Sequence, residues 1–94
     1  MTLKTIDYKI PEGKMLKIKV NFEGHVIRSI SILGDFFLHP ESTIDEIEKG
    51  LTGCEANLEM ITSEIQIALD RMNAVLIGAS ALDIAKAIMK ALEN

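Results

Sequence analysis

The first third of the chain alternates hydrophobic and polar residues with a period of two, as in strands that bury one face of a sheet. Turn-forming residues separate these segments: Pro11 and Gly13 mark one tight turn, and Glu23 with Gly24 marks another. The pattern therefore predicts an antiparallel meander of three strands, at about residues 3–10, 14–22 and 26–34.

The third predicted strand differs from the first two because its apolar residues occupy both odd and even positions. Ile27 is at an odd position, whereas Val26, Ile30 and Ile32 are at even positions. In a regular strand, neighbouring side chains point to opposite faces of the sheet. We therefore expect the third strand to be covered on both faces.

In the second half of the chain the apolar residues recur every three or four positions, which is typical of amphipathic helices. Thr43 with Glu46, and Ser80 with Asp83, have the spacing of a capping box, in which two residues satisfy each other's free backbone amides. The helices are predicted at about residues 43–51, 55–72 and 81–93. Between the last two, the apolar stretch 74–77 fits either an extended segment or a loop.

Strands that precede helices along a chain indicate an α+β fold. We expect two to three helices packed on one face of a three-stranded antiparallel meander. Chains of 94 residues are shorter than those that usually divide, so residues 1–94 are predicted to form a single domain.

The balance of charge changes along the chain, as the hydrophobic period does: the first part is basic and the rest is acidic. The first 31 residues carry six basic and three acidic groups, so the remaining 63 residues carry a net charge of −7. The whole chain has a net charge of −4 and a pI near 5.1, which offers no excess of cations to a phosphate backbone. Nucleic acid is therefore an unfavourable partner.

The cysteine content and the hydrophobic runs bear on the compartment. One cysteine forms no internal disulfide, and without a recognisable signal peptide the expected location is the cytoplasm. The longest uncharged run, residues 72–82, is about half as long as a helix that spans a bilayer. No membrane partner is therefore expected.

Known catalytic and metal-binding motifs are missing from the sequence, including phosphate-binding glycine loops, nucleophile elbows and paired cysteines. We therefore assign no catalytic residue and no metal ligand. His25 and His39 fall in predicted turns and are interpreted as surface histidines. The basic residues around the second strand indicate its solvated face, with binding of an anion or acidic partner as the alternative; these are Lys14, Lys17 and Lys19.

Cys54 supports two interpretations. It directly precedes the predicted helix at Glu55, where free amides and the helix dipole favour a thiolate. The carboxylates of Glu55 and Glu59 disfavour that anion, and small cysteines at helix junctions are common core residues. Cys54 is therefore either a reactive thiol or a structural cysteine.

The segment from Gly34 to Phe37 closes the third strand and holds two of the four aromatic residues. Neighbouring side chains on an extended segment point to opposite sides, so both phenylalanines do not easily face one small core. We expect one of them to be available for a partner, with burial of both as the alternative.

Two stretches of sequence resemble the small accessory, C-terminal domain of lipoate-protein ligases. In residues 22–37 a glycine turn leads to a strand that ends in the letters G-D-F-F, and in residues 44–53 an acidic helix ends in L-T-G. The likeness extends loosely over nearly the whole chain. The resemblance implies a domain that assists ATP-dependent activation of lipoate to lipoyl-adenylate, before lipoyl passes to a lysine of a carrier domain.

The resemblance also implies partners, because the family's activating motif and essential lysine have no counterpart here. It implies a separate catalytic large subunit, as in bipartite archaeal ligases, and indirectly a lipoyl carrier domain. Lipoate, ATP and Mg²⁺ are expected in the assembled ligase and not on this chain alone. The expected docking or structural determinants are Arg28, Asp35, Phe36 and Phe37. The alternative function is a single-cysteine sulfur acceptor, of the sulfur-transfer or iron–sulfur scaffold type, that uses Cys54.

Overall fold

The computed structural model describes residues 2–11 and 14–93, which form five strands and three helices. The strands are β1 (Thr2–Lys9), β2 (Met15–Glu23), β3 (Val26–Gly34), β4 (Phe37–His39) and β5 (Val75–Ile77). The helices are α1 (Thr43–Leu51), α2 (Leu58–Arg71) and α3 (Ala81–Glu93).

Strands β1, β2 and β3 form the antiparallel meander that the period of two predicts, in the order β1-β2-β3. Ile18 on the central strand lies opposite Ile6 on one side and Ile32 on the other. The alternate positions of β2 that face the helices are all buried: Leu16, Ile18, Val20 and Phe22. The α+β fold with a three-stranded sheet is thus confirmed.

The two tight turns differ in what the structure describes. Gly24 and His25 form the two-residue turn between β2 and β3, and Gly24 has a φ of +61°, which glycine adopts without steric cost. In the first predicted turn, Glu12 and Gly13 lie outside the described residues.

A β-bulge explains the mixed pattern of β3. Asn21 lies opposite Ser29, but the next residue of β2, Phe22, lies opposite Ile27, so Arg28 is an extra residue on β3. The bulge shifts the alternation, so that the apolar residues on either side of it, Ile27 and Ile32, are both buried in the one core. Leu33 and the serines of β3 are exposed, so the expectation that this strand is covered on both faces is wrong.

The helices pack on one face of the sheet. Helix α3 contacts β1 and β2, α1 contacts β3, and α2 packs against both α1 and α3. Each helix buries residues spaced three or four apart, which is the stripe that the sequence predicts; these are Ile47 and Leu51, then Ile61 and Ile65, then Ile84 and Ile88.

Helix α2 begins at Leu58 and ends at Arg71, so the predicted span of 55–72 is too long. Residues 53–56 lie beside the start of β3, where the Gly53 amide donates to the Ile27 carbonyl at 2.7 Å and the Ile27 amide donates to the Cys54 carbonyl at 2.9 Å. The helix starts afterwards because the Asn57 side chain accepts hydrogen bonds from the first free amides.

The two predicted capping boxes have different outcomes. Ser80 and Asp83 form one, since the Ser80 amide donates to Asp83 Oδ2 at 3.0 Å and the Asp83 amide donates to Ser80 Oγ at 3.1 Å. Thr43 and Glu46 do not, because Thr43 is the first residue of α1 and its side chain is fully buried. Ser42 occupies the cap position without a side-chain hydrogen bond.

Residues 75–77, which fitted either an extended segment or a loop, form strand β5. It pairs antiparallel with β4 in a second, two-stranded sheet, in which Phe37 lies opposite Ile77 and His39 lies opposite Val75. We call this small sheet the β4–β5 ribbon. Its first strand, β4, begins three residues after the end of β3.

Candidate partner-docking site

The end of β3 is held in place by a close backbone approach at Gly34. The Asp35 amide donates to the Met15 carbonyl at 3.1 Å and extends the pairing of β2 with β3. A Cβ atom on residue 34 would lie 2.9 Å from that same carbonyl oxygen and 2.8 Å from Cδ1 of Phe36. Glycine fits this position without a shift of the neighbouring strand, and this close approach sets where Asp35 and the two phenylalanines leave the sheet.

The two phenylalanines point to different sides, as the period of an extended segment requires. Phe36 is half-buried and packs against the core, whereas Phe37 is 56% exposed. One of the two phenylalanines is therefore exposed, and burial of both is excluded. Within β4 the alternation continues, since Leu38 is buried and His39 is exposed.

An open cleft of about 450 Å³ lies beside Phe37, between the end of β3, strand β4 and the start of α1. The His39 ring stacks on the Phe37 ring at a centroid distance of 6.3 Å and an interplanar angle of 11°. Leu33 and Ile44 add apolar walls, and Glu41 is the one carboxylate among the lining residues. The arrangement suits an apolar side chain of another protein.

Arg28 and Asp35 are not brought together, although both are expected docking determinants. Arg28 lies at the bulge, where its Nε donates to Glu23 Oε1 at 2.6 Å on the exposed surface. Asp35 is seven residues further along an extended segment, which spans about 20 Å. Of the four residues named for docking, Asp35, Phe36 and Phe37 are contiguous and Arg28 is remote.

Sequence reasoning missed the residues that face Phe37 from elsewhere in the chain. The apolar stretch 74–77 has no polar alternation, so nothing in the sequence shows which of its side chains point outward. Only the pairing of β5 with β4 places Val75 and Ile77 beside His39 and Phe37. Leu33 is exposed because the register after the bulge places its neighbour Ile32 on the buried face.

Cys54 does not stand at a helix N-terminus, so the geometry that would favour its thiolate is absent. It lies in the segment beside β3, four residues before α2, and its Sγ donates to the Glu55 carbonyl at 3.3 Å. Burial raises the pKa of the Cys54 thiol, and the carboxylates of Glu64 and Glu55 raise it further. The raised pKa and the position outside a helix N-terminus both disfavour the thiolate that a sulfur acceptor would need.

We expect iodoacetamide to alkylate Cys54 more slowly in the folded chain at neutral pH than in the chain unfolded in urea. Because the Glu64 carboxylate contributes to the raised pKa, Glu64→Gln should increase the labelling rate and move its pH midpoint down. Glu59→Gln, a change of the same kind on the exposed surface of α2, should leave the rate unchanged. Faster labelling of the folded chain than of the unfolded chain would restore the sulfur-acceptor interpretation.

The other candidate residues lie at the surface. His25 is exposed in the turn between β2 and β3, and His39 is exposed on strand β4 rather than in a turn. Lys14, Lys17 and Lys19 are all exposed, as expected of the solvated side of β2.

Among residues 2–11 and 14–93, no three His, Cys, Asp or Glu side chains are grouped to hold a metal ion. None of the described helices is long and apolar enough to cross a membrane.

Comparisons with known proteins agree with this fold. The sequence profile described as "Bacterial lipoate protein ligase C-terminus" matches residues 6–88. A chain from the structure of an archaeal lipoylation system, a bipartite lipoate protein ligase and its E2 lipoyl domain from Thermoplasma acidophilum, superposes with a TM-score of 0.77. The two chains are 24% identical, and the match covers 93% of this chain and 94% of the other. A comparison with curated proteins gives no match.

The profile match spans all of β2 to β5 and both α1 and α2, and it includes the segment from Gly34 to Phe37. The structural likeness shows the same fold in a chain of nearly the same extent. Because the matched residues cover most of the sequence, the chain belongs to the bacterial lipoate protein ligase C-terminus family.

Proposed function

We propose that this chain is the accessory subunit of a lipoate-protein ligase and acts with a separate catalytic large subunit. The observation that carries the proposal is the family match over residues 6–88. The similar extent of the chain from the Thermoplasma acidophilum system supports a small subunit, because that system contains a bipartite ligase.

Lipoate, ATP and Mg²⁺ belong to the assembled ligase in this proposal, and the described residues do not fit them on their own. The cleft beside Phe37 offers a single carboxylate and no lysine or arginine for a triphosphate. Metal-ligating side chains are not grouped within the described ranges. No step of the chemistry is therefore assigned to a residue of this chain.

The contribution of the accessory subunit is to shape and close the reaction site of its partner. Activation joins the lipoate carboxylate to the α-phosphorus of ATP and releases pyrophosphate, and lipoyl then passes to a carrier lysine with release of AMP. The adenylate must be shielded from water and the two substrates held together, which a small domain docked over a larger one provides. Phe36 supports this role from within the fold, while Asp35 and Phe37 are available for contact.

The proposal also places the complex in the cytoplasm. Cys54, the single cysteine of the sequence, is a free thiol. A reduced thiol is typical of the cytoplasm, where ATP for the activation is available.

To test the proposal, the purified chain is mixed with the cognate catalytic large subunit, and the mixture is analysed by size-exclusion chromatography. Lipoylation of a carrier domain is then measured with the large subunit alone, the small chain alone and the pair. We expect the two chains to co-elute and only the pair to lipoylate the carrier at a substantial rate. Separate elution together with full activity of the large subunit alone would contradict the proposal.

A further inference from the structure

The β4–β5 ribbon exposes a continuous apolar surface on one of its two sides. Phe37 lies opposite Ile77 and His39 opposite Val75, and residues two apart on a strand share a side, so these four side chains lie together. Ile77 is 60% exposed and Val75 is 49% exposed. We call this set, Phe37, His39, Val75 and Ile77, the ribbon face.

Folding of the chain does not account for the apolar residues of the ribbon face. The opposite side of the ribbon already packs against the core through Leu38 and Leu76. Polar residues at the outward positions would therefore leave that packing intact. Exposed apolar side chains on a short paired ribbon instead favour association, and contiguous patches of this kind mark interaction sites.

The apolar surface continues into the cleft and has an acidic border. Leu33, at 61% exposure, lines the cleft together with Phe37 and His39. Glu41 lies at the same cleft, and Asp35 is exposed two residues before Phe37. The complementary surface is therefore an apolar depression bordered by lysine or arginine.

A second copy of this chain does not suit the ribbon face. Its three aliphatic and aromatic side chains, about half exposed, offer on the order of 300 Å² of apolar area. Two such faces would bury roughly 600 Å² in total, and a specific interface requires roughly 1,000 Å², so the ribbon face suits one part of a wider contact with a larger partner rather than a complete twofold interface. A twofold pairing would also bring the carboxylates of Asp35 and Glu41 towards those of the other copy.

We infer that the ribbon face, together with Leu33, is the surface that docks on the catalytic large subunit, an inference that rests on the proposed function. Phe37 enters an apolar pocket of the large subunit, and Val75 and Ile77 pack on the adjoining surface. Asp35 and Glu41 face basic residues at the border of that pocket. The residues that meet the partner thus come from two segments of the chain, about 40 positions apart in sequence.

We test the docking surface with two variants, each of which replaces an exposed aliphatic side chain with aspartate, one within the ribbon face and one far from it. Ile77→Asp introduces a charge at the centre of the ribbon face, and Leu3→Asp introduces the same charge at a leucine of β1 that is 62% exposed. Leu3 lies opposite Asn21, at the end of the sheet remote from Gly34, which lies opposite Leu16. Circular dichroism and thermal unfolding establish that both variants fold. Binding to the immobilised large subunit is then measured by surface plasmon resonance.

We expect Ile77→Asp to weaken binding to the large subunit at least tenfold, because it buries an unpaired charge in an apolar contact, and Leu3→Asp to change it less than twofold. Glu41→Lys should slow association at low salt and have little effect at high salt. Equal binding by the wild-type chain and Ile77→Asp would overturn the docking surface but not the proposed function. Failure of the wild-type chain to bind would overturn both, and concentration-dependent dimers abolished by Ile77→Asp would show a second copy as the occupant.

Discussion

Ile18→Ala is expected to lower the free energy of unfolding by about 2–5 kcal/mol, the usual cost of truncating a fully buried isoleucine. Ile18 is fully buried on the central strand, opposite Ile6 and Ile32, so the methyl groups it loses leave a cavity that neighbouring backbone cannot fill. Domains of this size are stable by only about 5–14 kcal/mol. The measurement is urea unfolding followed by circular dichroism.

The matched control is Ile67→Ala on helix α2, where the isoleucine is 44% exposed. There the lost contacts are fewer and alanine has the higher helix propensity, so the change should be within about 1 kcal/mol of the wild type. A change of the same size for both variants would show that the core does not lie between the sheet and the helices. The slopes of the urea curves should be equal, since each variant unfolds the same chain.

Gly34→Ala is expected to destabilise the fold by about 1–3 kcal/mol, the range found for overpacking. The added Cβ would lie 2.8 Å from Cδ2 of Leu16 and Cδ1 of Phe36, whose side chains have some freedom to move. It would also lie 2.9 Å from the Met15 carbonyl oxygen, which is backbone and is held by the Asp35 amide. The strand must therefore shift, and thermal unfolding should report a lower midpoint.

Gly50→Ala provides a control, because the same substitution is expected there to increase the stability of the fold. Gly50 lies within helix α1, and its added Cβ would have Glu64 Oε2 at 3.5 Å as its nearest neighbour, an ordinary contact. Gly50 lies in the last turn of α1, where alanine should stabilise the fold by up to about 1 kcal/mol relative to glycine. If both substitutions moved the midpoint in the same direction, the close approach at Gly34 would not be the cause of its effect.

Local hydrophobic period was sufficient to predict the main sheet and the stripes of the helices. It was sufficient because one face of each element is buried, so the alternation of β2 and the three-to-four spacing of Ile61 and Ile65 record which side faces the core. The same reasoning predicted that Phe36 and Phe37 point to different sides. The resemblance to lipoate-protein ligases agreed with the family that the comparison found.

Features that depend on distant residues were not predictable from the sequence. The bulge at Arg28 is set by pairing with β2, so the apolar residues at odd and even positions of β3 wrongly indicated a strand covered on both faces. Strand β4 is three residues long and exists because it pairs with β5, which lies much later in the chain. The start of α2 was misplaced because residues 53–56 pair with β3 before Asn57 caps the helix.

At the candidate docking site, too, residues of one local segment were predictable from the sequence, whereas residues from distant segments were not. Asp35, Phe36 and Phe37 were identified from one local segment, in which Asp35 and Phe37 are exposed and Phe36 is half-buried. Arg28 was grouped with them because it shares a strand, yet it lies about 20 Å away. Val75 and Ile77 were missed because no local pattern connects an apolar stretch late in the chain with the end of β3.

In the proposed function, this chain completes a reaction site that belongs to another subunit. This role is tested most directly by measuring lipoate-dependent release of pyrophosphate from ATP by the large subunit while the small chain is titrated in. We expect background release without the small chain, a rise that saturates at one small chain per large subunit, and none from the small chain alone. Full release by the large subunit alone, or release by the isolated small chain, would contradict it.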